Sequence, residues 1–143
     1  MEKGFIVFWT MTGNTGAMAN GIAEGVKAAG KEPVLLSPSE ANIEDLKELP
    51  AFAMGCPAMG AEVLEEAEME PFVAEVEGIV KGKQVALFGS YGWGDGEWMR
   101  DWEARMQSAG ATLINGEGLM AHETPDEDAI EECKALGKTL AGI

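Results

Sequence analysis

A chain of 143 residues with 25 acidic against 10 basic side chains carries a net charge of -15, which argues against nucleic acid and anionic membranes and favours a partner with a basic patch. Its 46% hydrophobic content excludes a disordered chain, and no apolar run is long enough to span a bilayer. The length suits one domain, residues 1–143, with a core of its own.

The first apolar run, Gly4 to Trp9, is rich in branched and aromatic residues and reads as a strand buried on both faces. It is too short for the apolar segment of a secretion signal. It leads into a cluster of hydroxyls around Gly13. A helical pattern follows, with Met18, Ile22 and Val26 four apart, and ends near Ala29 at Gly30. Strand, polar glycine loop, helix: this order aims the free N–H groups of a helix start at whatever sits in the loop. Such a place binds anions, phosphate above all. Thr10, Thr12, Asn14 and Thr15 offer neutral donors, and Gly13 lets the backbone come close. No Lys or Arg stands between Lys3 and Lys27, so the lysine of a triphosphate loop is missing and a single phosphate monoester fits better. The alternative is a Thr or Asn helix cap with no ligand.

A short second strand runs Pro33 to Leu36, and Asn42 caps a brief helix with Ile43, Leu46 and Leu49 inward. The third strand, Ala51 to Cys56, stops at Pro57. A loop of Pro57, Ala58, Met59, Gly60, Ala61 and Glu62 follows. Glu65, Glu66, Glu68 and Glu70 crowd the next segment, and Pro71 suits the first turn of a helix carrying Phe72, Val76 and Ile79. The fourth strand, Gln84 to Gly89, opens into Ser90-Tyr91-Gly92-Trp93-Gly94-Asp95-Gly96. Trp98, Trp102 and Met106 have helical spacing and read as core, in a helix ending at Gly110. A fifth strand lies within Ala111 to Ala121, with His122 as a surface or strand-end residue. Thr124-Pro125-Asp126-Glu127 reads as a capping box with Pro at the first helical position. The last helix buries Ile130, Cys133, Leu136 and Leu140.

Five strands alternating with helices imply a parallel sheet covered on both faces. Ligands of such sheets sit beyond the C-terminal strand ends, where strand order reverses. The glycine-bearing loops after strands one, three and four share that edge, and this convergence favours phosphate over a plain cap. Tyr91 and Trp93, set among glycines, suit a plate for a flat ring; the alternative is that they fold back onto the core. Met59 is either a second wall for that ring or a loop methionine tucked inward. Gly60 admits positive φ, so the Gly60–Ala61 peptide can turn over at low cost. Glu62 suits a ring N–H, although a solvated acidic face is its simpler reading. No cation stands between Lys47 and Lys81 or between Lys83 and Arg100. A bound ring gaining negative charge would therefore meet an uncompensated negative field, which holds a redox ring at low potential. Cys56 and Cys133 have no C-x-x-C or metal spacing and read as reduced core residues, as expected in the cytoplasm.

The segments Thr-x-Thr-Gly-Asn-Thr at 10–15, Gly-Cys-Pro-Ala-Met-Gly-Ala-Glu at 55–62 and Phe-Gly-Ser-Tyr-Gly-Trp-Gly-Asp-Gly at 88–96 resemble the flavodoxins, specifically the clostridial-type short-chain group, over essentially the whole chain. The resemblance implies a flavodoxin-like three-layer α/β/α sandwich with a five-stranded parallel sheet in the order 2-1-3-4-5; that order, and FMN at its switch point, are known properties of the family. It implies non-covalent FMN that carries one electron at a time, cycling mainly between semiquinone and hydroquinone, and passes electrons between oxidoreductases. It places the phosphate against Thr10, Thr12, Asn14, Thr15 and the loop amides, which include Met11 and Gly13, with a hydroxyl from Ser90. Trp93 would stack on the outer ring face and Met59 on the inner one, beside Pro57, Ala58 and Ala61. The backbone of Tyr91, Gly92, Trp93 and Gly94 would meet the pyrimidine oxygens. Glu62 would accept from N3–H, and the Gly60 carbonyl would turn toward N5. Met11 stands where the group often has glycine, and Ala61 where a polar residue is common. The implied partners are redox proteins with basic docking surfaces, met by an acidic rim from Glu62 to Glu70, and the carrier is expected to be a monomer.

Two other classes compete. A flavin or quinone reductase needs a nicotinamide or quinone pocket over the ring, and the chain has no G-x-G-x-x-G and no spare domain. A phospho-accepting receiver needs an Asp ending strand three and acidic residues ending strand one, where this chain has Gly55-Cys56-Pro57 and Trp9-Thr10.

Overall fold

The computed structural model describes residues 1–143. In chain order it contains β1 (Lys3–Phe8), α1 (Asn14–Ala28), β2 (Glu32–Leu36), α2 (Ile43–Lys47), β3 (Ala51–Gly55), α3 (Met69–Val76), β4 (Gln84–Tyr91), α4 (Glu97–Ser108), β5 (Thr112–Leu113), β6 (Leu119–His122) and α5 (Glu127–Ala141). All strands pair in parallel, in the order β2-β1-β3-β4-β5, with β6 also on β4. The chain leaves β1 toward β2 and returns to β3 on its other side. The switch point therefore lies between the C-terminal ends of β1 and β3.

Alternation along β3 divides the core. Phe52 and Met54 face one layer, with Val7, Leu87, Trp98 and Trp102. Ala51 and Ala53 face the other, with Ile6, Ala86, Met18, Ile22 and Leu136. The small side chains on this second face bring α1 and α5 close to the sheet and to each other. A methyl group on Gly25 would lie 2.0 Å from the Lys134 carbonyl oxygen, and one on Gly137 would lie 2.0 Å from that of Ile22. Only glycine allows the two helix backbones to meet there.

Asn42 caps α2 as expected, its side-chain oxygen accepting from Glu44 N–H. Four expectations need correction. The fifth strand is broken in two, because Asn115 at φ 64° and Gly116 at φ 78° turn the chain between β5 and β6. β4 runs on to Tyr91, so Ser90 and Tyr91 belong to the strand end, because β6 supplies partners for both. α3 closes at Val76, which leaves Ile79 in the turn after it. The cap of α5 is Asp126, whose carboxylate accepts from Ala129 N–H at 2.8 Å. Glu127 thereby becomes the first helical residue, the Thr124 capping box does not form, and Ile130 is only half-buried.

Candidate functional site

β1 ends at Phe8, and the chain crosses the sheet edge to Gly13, which stands at φ 95° immediately before α1. That left-handed conformation suits glycine. No side chain caps α1. Thr10 Oγ1 accepts from Gly16 N–H at 3.2 Å, but the N–H groups of Thr12, Gly13, Asn14 and Thr15 have no acceptor in the chain. Thr10 thus closes one amide of the helix start, while the turn leaves four others open, more than a plain cap does. Met11 stays out of the left-handed region and its side chain is 67% exposed, so a residue other than glycine fits there without backbone strain.

Beneath this turn Thr15 is buried and its hydroxyl meets that of Ser90 at 2.9 Å, while Ser90 N–H donates to Thr15 Oγ1 at 3.3 Å. These bonds fasten the first turn to the third. The second is fastened to the third by Ala58 N–H donating to the Ser90 carbonyl at 3.0 Å. The turns thus converge on one cleft, lined by Thr10, Met11, Thr12, Asn14, Thr15, Pro57, Ala58, Met59, Ser90, Tyr91, Gly92 and Glu123. No Lys or Arg is among them. Open amides, hydroxyls and a cation-free lining form a donor set suited to a phosphate monoester and, alongside it, an uncharged ring.

A larger groove of about 400 Å³ lies between the second turn and α4, against about 160 Å³ for the cleft. Glu62, Glu66, Glu70 and Asp101 line it, and Arg105 there is engaged by Glu70 and Glu77. Its carboxylates repel a phosphate, so it is not the anion site.

Gly60, Ala61, Glu62, Trp93, Gly94 and Gly13 stand outside the cleft lining. Met59 and Val63 exchange backbone hydrogen bonds at 2.8 and 2.9 Å, which makes 60–62 a tight turn with Gly60 at φ 49°. Trp93 is 67% exposed at the rim, with its ring free. Tyr91 instead folds partly inward, with ring centroids 5.7 Å from Trp98 and 5.0 Å from His122. The two aromatics expected to share one plate thus divide into a wall and a free ring.

Glu62 is the largest surprise. It is buried, not solvated, and stands at φ 55°. Its Oε1 accepts from the N–H groups of Gly96 and Glu97 at 3.2 and 3.1 Å, so it caps α4 across the two turns. Oε2 accepts from nothing in the chain. Arg100 also reaches back from α4 to the third turn and pairs with Asp95 at 2.9 Å, so that turn carries a cation, already matched, outside the cleft.

Glu65 likewise leaves the acidic rim. Its carboxylate accepts from Ala67, Glu68 and Met69 N–H at 2.7, 2.8 and 2.9 Å, capping the start of α3. Burial pushes its pKa up, but the three donors together outweigh this and hold it below the usual carboxylate range. A lowered folded pKa contributes stability at neutral pH that is lost on acidification. Glu65→Ala should therefore lower stability by about 2 kcal/mol at pH 7. In urea titrations the deficit should shrink as the pH falls through the ordinary glutamate range and on through the lowered titration of the folded carboxylate; a pH-independent deficit would contradict the capping role. Cys56 and Cys133 are free and buried, and burial raises both thiols to about 12, so they stay protonated.

The sequence reading missed Glu123, which lines the cleft, and His122 beside it. The signal was available: His122 ends the last strand and Glu123 follows it, at the same sheet edge.

Residues 6–137 match the family model described as Flavodoxin. The chain is 47% identical over 138 residues to a flavodoxin of Clostridium beijerinckii, covering 96% of this chain and 99% of that one. It is 46% identical over 136 residues to a flavodoxin of Megasphaera elsdenii, covering 95% and 96%. The solution structure of two-electron reduced Megasphaera elsdenii flavodoxin aligns with a TM-score of 0.85 at 45% identity, over 97% of this chain and 98% of that one. Flavodoxins carry FMN and transfer electrons without turning over a substrate of their own, and this chain belongs to the flavodoxin family.

Proposed function

We propose that this protein, as a single-domain monomer, carries low-potential electrons between oxidoreductases on non-covalent FMN. The observation that supports this best is the open row of amides at Thr12, Gly13, Asn14 and Thr15, fastened to two other turns around a lining without cations. Bound FMN supplies one-electron chemistry, here mainly between its half-reduced and fully reduced forms. The chain supplies binding and the field. Thr10, Thr12, Asn14 and Thr15 hold the phosphate with the amides of the first turn, while Ser90 braces Thr15 from below. Trp93 and Met59 flank the ring. Glu62 can keep α4 capped through Oε1 and offer Oε2 to a ring N–H, because a carboxylate has room for several donors. Gly60, with its positive φ, leaves its peptide free to turn.

The net charge of -15 and the absence of a cation in the cleft disfavour further negative charge on the ring. The exposed Glu66 and Glu68 then form the acidic rim for a basic partner, without the buried Glu62 and Glu65. No helix is long and apolar enough to cross a membrane, and two free thiols suit a reducing cytoplasm.

Stepwise reduction of the FMN-loaded protein, followed in the visible spectrum, tests this. The expected result is a stable one-electron stage between the oxidised and fully reduced spectra, with the second midpoint well below that of free FMN. An apoprotein that leaves the FMN spectrum unchanged, or one that steadily oxidises NAD(P)H, would overturn the carrier reading.

A further inference from the structure

The tip of β6 grips the third turn at two consecutive peptides. Glu123 N–H donates to the Tyr91 carbonyl at 2.7 Å. His122 Nε2 lies 3.1 Å from the Gly92 carbonyl oxygen. A carbonyl only accepts, so Nε2 carries the proton and donates it. The imidazole also lies against the Tyr91 ring, at 5.0 Å between centroids, which fixes its plane.

The consequence lies on the other side of those peptides. In a trans peptide the C=O of one residue and the N–H of the next point in opposite directions. With the Tyr91 and Gly92 carbonyls both held toward β6, the N–H groups of Gly92 and Trp93 turn away from it. Neither has an acceptor in the chain. Tyr91 and Gly92 line the cleft, His122 stands outside it, and Glu123 reaches it from the β6 side. The Gly92 carbonyl has no other hydrogen-bond partner in the chain. No atom lies within 4 Å of where a side chain on Gly92 would begin, and Gly92 itself is exposed. A rotated Gly92–Trp93 peptide would present a carbonyl oxygen where an N–H now stands.

We infer that His122 is a positioning residue for the ring end of the cleft: by tying down the Gly92 carbonyl it presents the Gly92 and Trp93 N–H groups as a paired donor for the acceptor oxygens of a bound heterocycle. The inference rests on the FMN reading above and assigns one of its contacts to a residue outside the binding turns. Glu123 Oε1, 3.7 Å from Nε2, is the charge beside it.

The test compares the full-length wild type with His122→Ala and His122→Gln, the latter keeping an N–H donor on a side chain of similar reach. Apoprotein is titrated with FMN and with riboflavin, and inorganic phosphate is used as a competitor. Loss of one neutral hydrogen bond corresponds to roughly fivefold weaker binding. His122→Ala should weaken FMN and riboflavin by about that same factor and leave the phosphate competition constant unchanged, because the phosphate turn lies on β1 and α1. His122→Gln should restore both flavins to within about twofold of wild type. A His122→Ala protein that binds both flavins like wild type would overturn the inference and leave the FMN reading standing. So would equal losses for phosphate and the flavins, since that pattern is general loosening. A wild type that binds neither flavin would overturn both.

Discussion

Thr12→Asp should abolish useful FMN retention while making the apoprotein slightly more stable. Thr12 is exposed in the first turn, beside the open amides at the start of α1. A phosphate monoester carries between one and two negative charges near neutral pH. A carboxylate about 4 Å away at an effective dielectric near 20 opposes each charge by roughly 4 kcal/mol, which solvent at this exposed position reduces. About 3 kcal/mol of net loss remains, a weakening of roughly a hundredfold or more. The same carboxylate faces the positive end of an uncapped helix, which favours the apoprotein by a few tenths to about 1 kcal/mol. Fluorescence titration with FMN and the urea midpoint of the apoprotein measure the two effects. Unchanged FMN affinity would show that the phosphate does not sit on this turn. Opposite signs for binding and stability are what a site kept open at the expense of helix capping produces.

Trp98→Ala and Trp93→Ala should have contrasting effects, although only five positions separate them. Trp98 is 1% exposed, packs against Tyr91 and donates from Nε1 to the Cys56 carbonyl at 3.0 Å. Its removal opens a cavity and leaves that carbonyl unpaired, so stability should fall by about 4 kcal/mol, a large share of what a domain of this size possesses. Trp93 is 67% exposed and makes no contact that the fold needs. Trp93→Ala should leave the apoprotein within about 0.5 kcal/mol of wild type and weaken FMN binding by about tenfold through lost stacking. Urea unfolding of both apoproteins, with FMN titration of the second, separates the roles. Comparable destabilisation by the two substitutions would show that Trp93 also belongs to the core.

The same residues mark where reading the sequence succeeds. Helical spacing alone places Trp98 and Trp102 inside, and both are buried. Apolar runs stopped by glycine or proline locate β1, β3 and β4 to within two residues. Three polar turns at C-terminal strand ends locate the cleft, because parallel topology sends every such end to one edge.

What local pattern did not reveal depends on partners distant along the chain. Glu62 sits in a run of acidic residues and gives no sign by itself of being buried; only the arrival of the α4 N-terminus, 34 and 35 positions later, supplies the donors that make burial favourable. Glu65 is withdrawn from the same run by α3. The extension of β4 to Tyr91 follows from its pairing with β6, some thirty residues further along the chain. His122 is a lone histidine in the sequence and a brace on the third turn in the fold. Burial periodicity and chain stiffness are local properties, which is why the elements, their layering and the sheet edge where the cleft opens could be read residue by residue. Desolvating a charge or orienting a peptide requires a specific donor or acceptor brought from elsewhere in the chain, and those partners come together only when the chain folds.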